Sequence, residues 1–378
     1  MLGGKKDLQE RLVFVWDNFG PMHVDRCEAV AMHFAGRKTV VGIEFVGSSH
    51  IYNWVSSEPQ QFRKVTLFPN GYPTKWRTLR LFWCLLRCTL QLGSADIFLC
   101  HYEKPAVWLT ALLLRLFGRR TFVMNNSKFD DKVRYKLNEL LKVSFLAPYR
   151  GALTSSTRAH DYLRFLGVPK KRIFFGYNTL SIARIQRLSG APPAPEGNSF
   201  EERVFLIVTR FVSEKNLIQS LVAYKLYRDL VAKPRSLHIV GYGALEGELR
   251  QHVDDMGLSN CVLFCGAMQT EGVAKKLAMS VALILFSCVE AFGNVVIEAQ
   301  AMGLPVLISE VCGAWDNLVR TGVNGFVVEP NNAAGLAYFM SVLSEDRDLW
   351  EQMCRAALKS SQLGDVAEFA RGVELLVE

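Results

Sequence analysis

Two pairs of charged residues carry the chemistry open to this sequence. Arg210 and Lys215 stand in VTRFVSEKNL (208–217), just past the end of an apolar run. Glu290 and Glu298 stand eight residues apart in LILFSCVEAFGNVVIEAQAMGLP (283–305). Between these acids, Phe292, Gly293, Asn294 and Val295 lead from a turn into a segment with helical apolar spacing. That segment is stopped by Gly303-Leu304-Pro305. Backbone NH groups at such a helix start, with the positive end of the helix dipole, make an anion site. Carboxylates flanking it would repel a phosphate placed beside them, so they suit hydroxyl donors. A phosphate with hydroxyls on either side describes a sugar nucleotide. Two cations in one turn past a strand end suit its diphosphate, because ligands of parallel sheets bind outside the strands' carboxyl ends.

Further motifs narrow the chemistry. HIVGYGALEGEL (238–249) gives G-x-G-x-x-x-G through Gly241, Gly243 and Gly247 after a predicted strand. The next strand ends in Cys265-Gly266, without the acid that a nicotinamide site wants. The loop is therefore expected to let backbone approach a ligand closely, without NAD. No G-x(4)-G-K-[ST] loop and no G-x-S-x-G elbow occurs. A glycosidase reading of the two acids would leave the cation pair and the anion site without a purpose. Cys84/Cys88 and Cys261/Cys265 share a C-x(3)-C spacing that no histidine or acid pattern completes, so no metal site is expected. In the first half, Asn18, His23 and Arg26 line the first strand–helix loop, FGPMHVDR (19–26) with its lead-in. His101 and Asn126 end two later strands. These five are the candidates for the side where a second substrate approaches.

The elements that must position these groups alternate in type. Short apolar runs at 11–18, 39–46, 95–101, 120–126, 151–156 and 172–178 read as strands. Amphipathic stretches between them, including 74–92, 106–120, 132–146 and 157–166, read as helices. LSGAPPAPEGNSF (188–200) is the one composition break and reads as a linker. The pattern then repeats, with strands at 203–211, 236–243, 261–266, 281–287, 304–309 and 325–330 and a helical tail from Ala333. A chain of 378 residues predicts two domains on length alone. The boundaries are 1–187 for the first, 188–200 for the linker and 201–378 for the second. No run reaches the roughly 18 uncharged apolar residues of a spanning helix, and the charged N-terminus lacks the form of a secretory signal. The expected home is the cytosol. Charge is uneven: residues 1–190 hold 29 Lys and Arg against 13 Asp and Glu, and residues 191–378 hold 15 against 23. The basic half points to a polyanionic partner, with membrane surface, nucleic acid and acidic substrate all open.

Taken together, the second half resembles the retaining glycosyltransferases of family 4, which have the GT-B fold. The resemblance rests on Arg210 and Lys215, GYGALEGEL, VLFCG, E-x(7)-E at Glu290 and Glu298, EAQAMGLPVLIS and VRTGVNGFVVEP. These cover about 150 residues in the family's order. DNFGPMHVDR, MNNSKFDDK and RIFFGYNTLS in the first half are similar to bacterial polysaccharide and lipopolysaccharide enzymes of that family. Phe286 and Ser181 depart from it, standing where a proline and an aspartate are common. The resemblance implies two Rossmann-like, doubly wound α/β domains facing each other across a cleft. The last helix, roughly 356–378, is a candidate to cross back to the first domain. It further implies a UDP- or GDP-sugar donor whose diphosphate meets Arg210 and Lys215. Glu290 would take the sugar hydroxyls and Glu298 the ribose. Gly241, Gly243 and Phe292 to Val295 would complete donor binding. No cofactor or metal is implied, because fixed cations and NH dipoles stabilise the leaving diphosphate. The basic first half then fits a lipid-linked or lipopolysaccharide acceptor on the anionic inner face of the cell membrane. A sugar-nucleotide epimerase and a non-catalytic basic binding protein are the competing readings, and no nucleic-acid-binding motif favours the latter.

Overall fold

The computed structural model describes residues 10–47, 59–73 and 75–378. Residues 1–9 of the charged start, and the expected helix start at Thr74, lie outside them. The chain forms two compact units. One comprises Met1–Ser155, Ala159–Thr179 and Val366–Glu378; the other comprises Ser156–Arg158 and Leu180–Asp365.

Unit 1 begins β1 (Glu10–Trp16), α1 (Pro21–His33), β2 (Lys38–Val46), β3 (Arg63–Phe68), α2 (Arg77–Gln91) and β4 (Ala95–Leu99). It continues α3 (Pro105–Leu116), β5 (Arg120–Asn125), α4 (Lys136–Leu146), β6 (Gly151–Thr154), α5 (Thr157–Phe165) and β7 (Ile173–Phe174). The seven strands pair in the order β3-β2-β1-β4-β5-β6-β7, all in parallel. Parallel strands are covered on both faces, which is why β4 and β6 are buried along their whole length. One face packs on α2, α3 and α5 through Leu85, Val107 and Leu163, among others.

Unit 2 runs α6 (Ile182–Ser189), β8 (Val204–Val208), α7 (Leu217–Leu230), β9 (Leu237–Val240), α8 (Glu246–Asp255) and β10 (Val262–Gly266). After these come α9 (Thr270–Ala278), β11 (Ser280–Leu285), α10 (Val295–Ala301), β12 (Val306–Ser309), α11 (Trp315–Leu318) and β13 (Gly325–Val328). Helices α12 (Ala333–Glu345) and α13 (Arg347–Ser361) close the unit. Its parallel sheet has the order β10-β9-β8-β11-β12-β13. Helix α14 (Val366–Val377) belongs to unit 1, where Phe369, Ala370 and Val373 share the second face of the sheet with Val30 of α1 and Phe34, its C-cap.

Two sequence expectations need correction. The stretch 188–200 is no linker between the units; it lies inside unit 2. Its irregular backbone is held by Arg203, a buried guanidinium that donates to the carbonyls of Glu196 (2.8 Å), Asn198 (3.1 Å), Ala278 (3.1 Å) and Ser280 (3.0 Å). A guanidinium taken out of water needs those acceptors, and they need it. Ala194 N adds a bond to Met302 O at 2.9 Å. The chain instead changes unit at Thr179–Leu180 and again at Asp365–Val366. There, Ser181 caps α6 by accepting from Arg184 N (3.2 Å), so the residue that departs from the family pattern still performs an N-cap's task. The second correction is the start of α1. The expected loop 19–26 is helical from Pro21, because proline fits the first helical position and Gly20 N finds an acceptor in His23 Nδ1 at 2.9 Å.

Candidate active site

In each sheet the crossovers reverse direction between two neighbouring strands: β1 and β4 in unit 1, β8 and β11 in unit 2. At such a switch point the loops leave on opposite sides and open a crevice beyond the carboxyl ends of the strands. The candidate residues of unit 2 follow β8 and β11. Past β8, Arg210 is exposed, and a single 3-10 turn, Ser213–Lys215, brings Lys215 round. Asn216 then takes a left-handed conformation (φ 53°) and ties the turn to Pro330 O through Nδ2 at 2.7 Å. Past β11, Cys288 N and Val289 N both donate to Glu214 O, at 2.9 and 3.2 Å. Glu290 O accepts from Gly313 N at 3.2 Å. The two loops are thus laced together by backbone.

That lacing has a result the sequence did not announce. Lys215 Nζ and Glu290 Oε2 form a direct ion pair, with both side chains more than four-fifths buried. The resemblance implies separate tasks for these residues, 75 positions apart, one on a diphosphate and one on sugar hydroxyls. The structure makes them a unit, so each holds the other's position.

Gly241 and Gly243 follow β9. Phe211 N donates to Tyr242 O (2.8 Å), and Leu245 N donates to Phe211 O (3.1 Å), so this loop lies on the loop after β8. A Cβ at Gly241 would stand 1.7 Å from Thr209 O, and one at Gly243 would stand 2.4 Å from Phe211 O. What the glycines approach here is the backbone of the Arg210 loop. Their task is to bring that loop into place. Beyond Glu290, Phe292 is buried and accepts from Ala314 N (2.9 Å), and Gly293 turns the chain at φ +100°. Asn294 precedes α10 and Val295 opens it, with Val296 N and Ile297 N already bonded to Gly293 O and Asn294 O at 3.0 Å. Glu298 lies half-buried in the first turn of α10.

In unit 1 the switch-point residues also meet. Asp17, after β1, receives Lys104 Nζ at 2.5 and 2.6 Å and lies 3.6 Å from His101 Nε2. His101 adopts a left-handed conformation (φ 57°) unusual for a residue with a Cβ, and its Nδ1 faces Glu103 at 3.4 Å. Burial pushes the Glu103 carboxyl up, but His101, its own backbone amide and Lys104 more than offset this and leave it below the usual range. A cavity of about 240 Å³ opens there, and His101 and Asn126 both line it, with Lys132, Arg134 and Lys142. Asn18, His23 and Arg26 do not line this cavity. Asn18 lies half-buried in the turn after β1. Arg26 is buried inside α1, donating through Nε to Thr179 O (2.9 Å), with its guanidinium over Tyr177.

His23 caps α1, and its ring lies 4.8 Å from Trp16 and 5.9 Å from Phe19. Burial, then the charges of Arg26 and His101, hold its pKa well below the ordinary imidazole value. The folded protein therefore binds fewer protons at this residue than the unfolded chain does below about pH 6.5, so stability is lost as pH falls through that point. The urea midpoint is expected to drop between about pH 7.5 and about pH 5.5, and His23→Gln, which keeps an acceptor for Gly20 N, should flatten the drop. An unchanged pH dependence in that variant would contradict the assignment.

Among the described residues, no three His, Cys, Asp or Glu side chains gather as a metal ion's ligands would. Nor is any helix among them long and apolar enough to cross a membrane.

The geometry of unit 2 can be set beside known proteins. The sequence profile of the family described as "Glycosyl transferases, group 1" matches residues 193–360, a span that holds Arg210, Lys215, Glu290 and Glu298. An N-acetyl-alpha-D-glucosaminyl L-malate synthase of Bacillus anthracis is 30% identical over 284 residues, covering 71% of each chain. The chain belongs to the group 1 glycosyl transferases. A lipopolysaccharide 1,6-galactosyltransferase of Salmonella typhimurium is 23% identical, across 62% of this chain and 60% of the relative. Among solved structures, Anabaena HepE in complex with UDP and glucose aligns with a TM-score of 0.68 at 16% identity, covering 96% of this chain and 98% of that one. At that identity the likeness carries the fold, which is GT-B. The protein is therefore a GT-B glycosyltransferase, with each unit supplying one of the fold's two doubly wound domains.

Proposed function

We propose that this glycosyltransferase moves a hexose, with retention of anomeric configuration and without a metal, from a UDP- or GDP-sugar to a lipid-linked saccharide or lipopolysaccharide acceptor. The reaction takes place on the anionic inner face of the cell membrane. The observation that carries the donor side is the Lys215–Glu290 pair at the β8/β11 switch point, with Arg210 in the same loop as Lys215 and the Gly293–Asn294 turn just past Glu290. As the bond from the anomeric carbon to the diphosphate breaks, its electron pair stays on the phosphate oxygen. Arg210 and Lys215 stabilise that charge, and the NH groups of the turn add their dipoles. Glu290 accepts from hydroxyls of the sugar, and Glu298 accepts from the ribose. The acceptor hydroxyl attacks the oxocarbenium-like carbon on the face the diphosphate leaves, and its proton passes to the departing oxygen. No covalent nucleophile is needed. UDP and glucose bound to the Anabaena neighbour support the donor class. The Salmonella relative's acceptor and the basic charge of residues 1–190 support the acceptor class.

The test has two stages. A thermal-shift screen should find a nucleoside diphosphate and its sugar that raise the melting temperature, because a ligand of the native state stabilises it. With that donor and a lipid-linked saccharide, NMR should show product of the donor's own anomeric configuration, at a rate indifferent to EDTA. An inverted product would refute retention, and loss of activity in EDTA would refute metal independence. An epimerised nucleotide sugar formed without acceptor would replace transfer with epimerisation.

A further inference from the structure

Helix α4 is inverted relative to a helix that serves only to cover a core. Such a helix turns its apolar stripe inward. In α4 only Glu139 and Leu146 are buried. Glu139 Oε2 accepts from Tyr162 Oη (2.5 Å), and Oε1 accepts from Lys142 Nζ (2.7 Å). Arg134 donates to the same Tyr162 hydroxyl at 2.9 Å and lies over its ring. The side of α4 that meets the body of unit 1 is thus anchored by a charged network. Its leucines point the other way: Leu137, Leu140 and Leu141 are 76%, 68% and 56% exposed. They stand at i, i+3 and i+4 and make one stripe. Val133, before the helix, and Val143, toward its end, are exposed as well. Lys132 and Lys136, both exposed, flank it. A contiguous apolar patch of this kind marks a surface that something covers.

Charge selects the occupant. Residues 75–172, which carry α2 to α5, hold 19 Lys and Arg against 6 Asp and Glu, a net +13. A second copy docking on the same patch by twofold symmetry would bring together two surfaces of the same positive sign, a like-charge arrangement. An anionic bilayer presents the opposite sign and an apolar layer beneath it. We infer that the outer face of α4 is a membrane-docking surface: Leu137, Leu140 and Leu141 enter the headgroup–acyl boundary of an anionic bilayer while Lys132 and Lys136 meet lipid phosphates. This gives a surface to the membrane setting proposed above, yet it rests on exposure and charge rather than on the transfer chemistry.

The test uses the full chain and vesicles of phosphatidylcholine with and without phosphatidylglycerol. The protein should sediment with the mixed vesicles and much less with phosphatidylcholine alone. Leu137→Asp with Leu141→Asp should weaken binding to the mixed vesicles by more than about tenfold at an unchanged melting temperature. Leu226→Asp with Leu230→Asp, exposed leucines of α7 in unit 2, should bind as the parent does. Lack of parent binding, or full binding by the α4 variant, would overturn the inference. So would a parent dimer, seen by sedimentation, that the α4 variant dissolves. Donor binding measured in the same preparations without vesicles separates the two proposals. Donor binding without vesicle binding would sink only the docking surface. Vesicle binding with no nucleotide sugar bound would sink only the transfer reading.

Discussion

Lys215→Ala is expected to lower turnover by about 10²–10³-fold, the loss typical of removing one preorganised group from a developing negative charge. Its effect should appear in diphosphate binding as well, because the role proposed for the cation begins with the bound nucleotide. Glu290→Gln is expected to behave differently. It should leave affinity for the free nucleoside diphosphate close to the parent value and act on turnover, because the role proposed for the carboxylate is on the transferred sugar. The ion pair complicates this in a measurable way. With both side chains more than four-fifths buried, removing Lys215 also strips Glu290 of the partner that holds it. A double-mutant cycle resolves the two roles, since groups in contact couple while independent ones add. Titration with the free diphosphate and steady-state kinetics on the two single variants and the double variant make the check. Parent-like kcat/KM in both single variants would remove the pair from the site.

The second large effect is structural. Gly241→Ala is expected to cost unit 2 on the order of 3–5 kcal/mol and to displace the Arg210 loop. The backbone at Gly241 has φ +146°, a region that a Cβ makes unfavourable, and that Cβ would stand 1.7 Å from Thr209 O. Neither atom belongs to a flexible side chain, so the backbone itself must move. Gly247→Ala, from the same glycine-rich motif, is the control. Gly247 lies in α8 with open space around it, so alanine there should be neutral or stabilise by roughly 0.5–1 kcal/mol. Urea unfolding of the two variants makes the comparison, and equal midpoints would show that the loop accommodates a side chain after all.

The contrast between these glycines shows what the sequence could convey. The spacing of Gly241, Gly243 and Gly247 announced a tight strand–helix turn, but it could not say which glycine met backbone and which met solvent. Apolar runs such as VALILFS marked their strands because a doubly covered parallel strand is continuous in hydrophobicity. β3 escaped notice because it stands at the sheet edge: Arg63 is exposed and the rest only half-buried. The charged residues were legible one at a time. The Lys215–Glu290 pair was not, because it exists only once β8 and β11 become neighbours. A strand order with its reversal at that point was the signal that would have found it. For α4 the helical period was readable, but a period does not say which stripe faces inward. That was decided by Tyr162, contributed by α5.

Helix α14 has a consequence for how the protein is made. Phe369, Ala370 and Val373 lie in the core of unit 1, with the Phe369 ring 5.4 Å from Phe14, yet they follow the whole of unit 2 in chain order. Unit 2 has its whole chain by Asp365, whereas unit 1 lacks part of one layer until α14 has been synthesised. During translation the second unit can therefore finish before the first, the reverse of the order in which their strands emerge. A truncation at Thr179 would leave that face of the sheet covered by α1 alone, with the Phe14 ring stripped of its Phe369 neighbour. A chaperone that binds exposed apolar surface would find this part of unit 1 open until α14 docks.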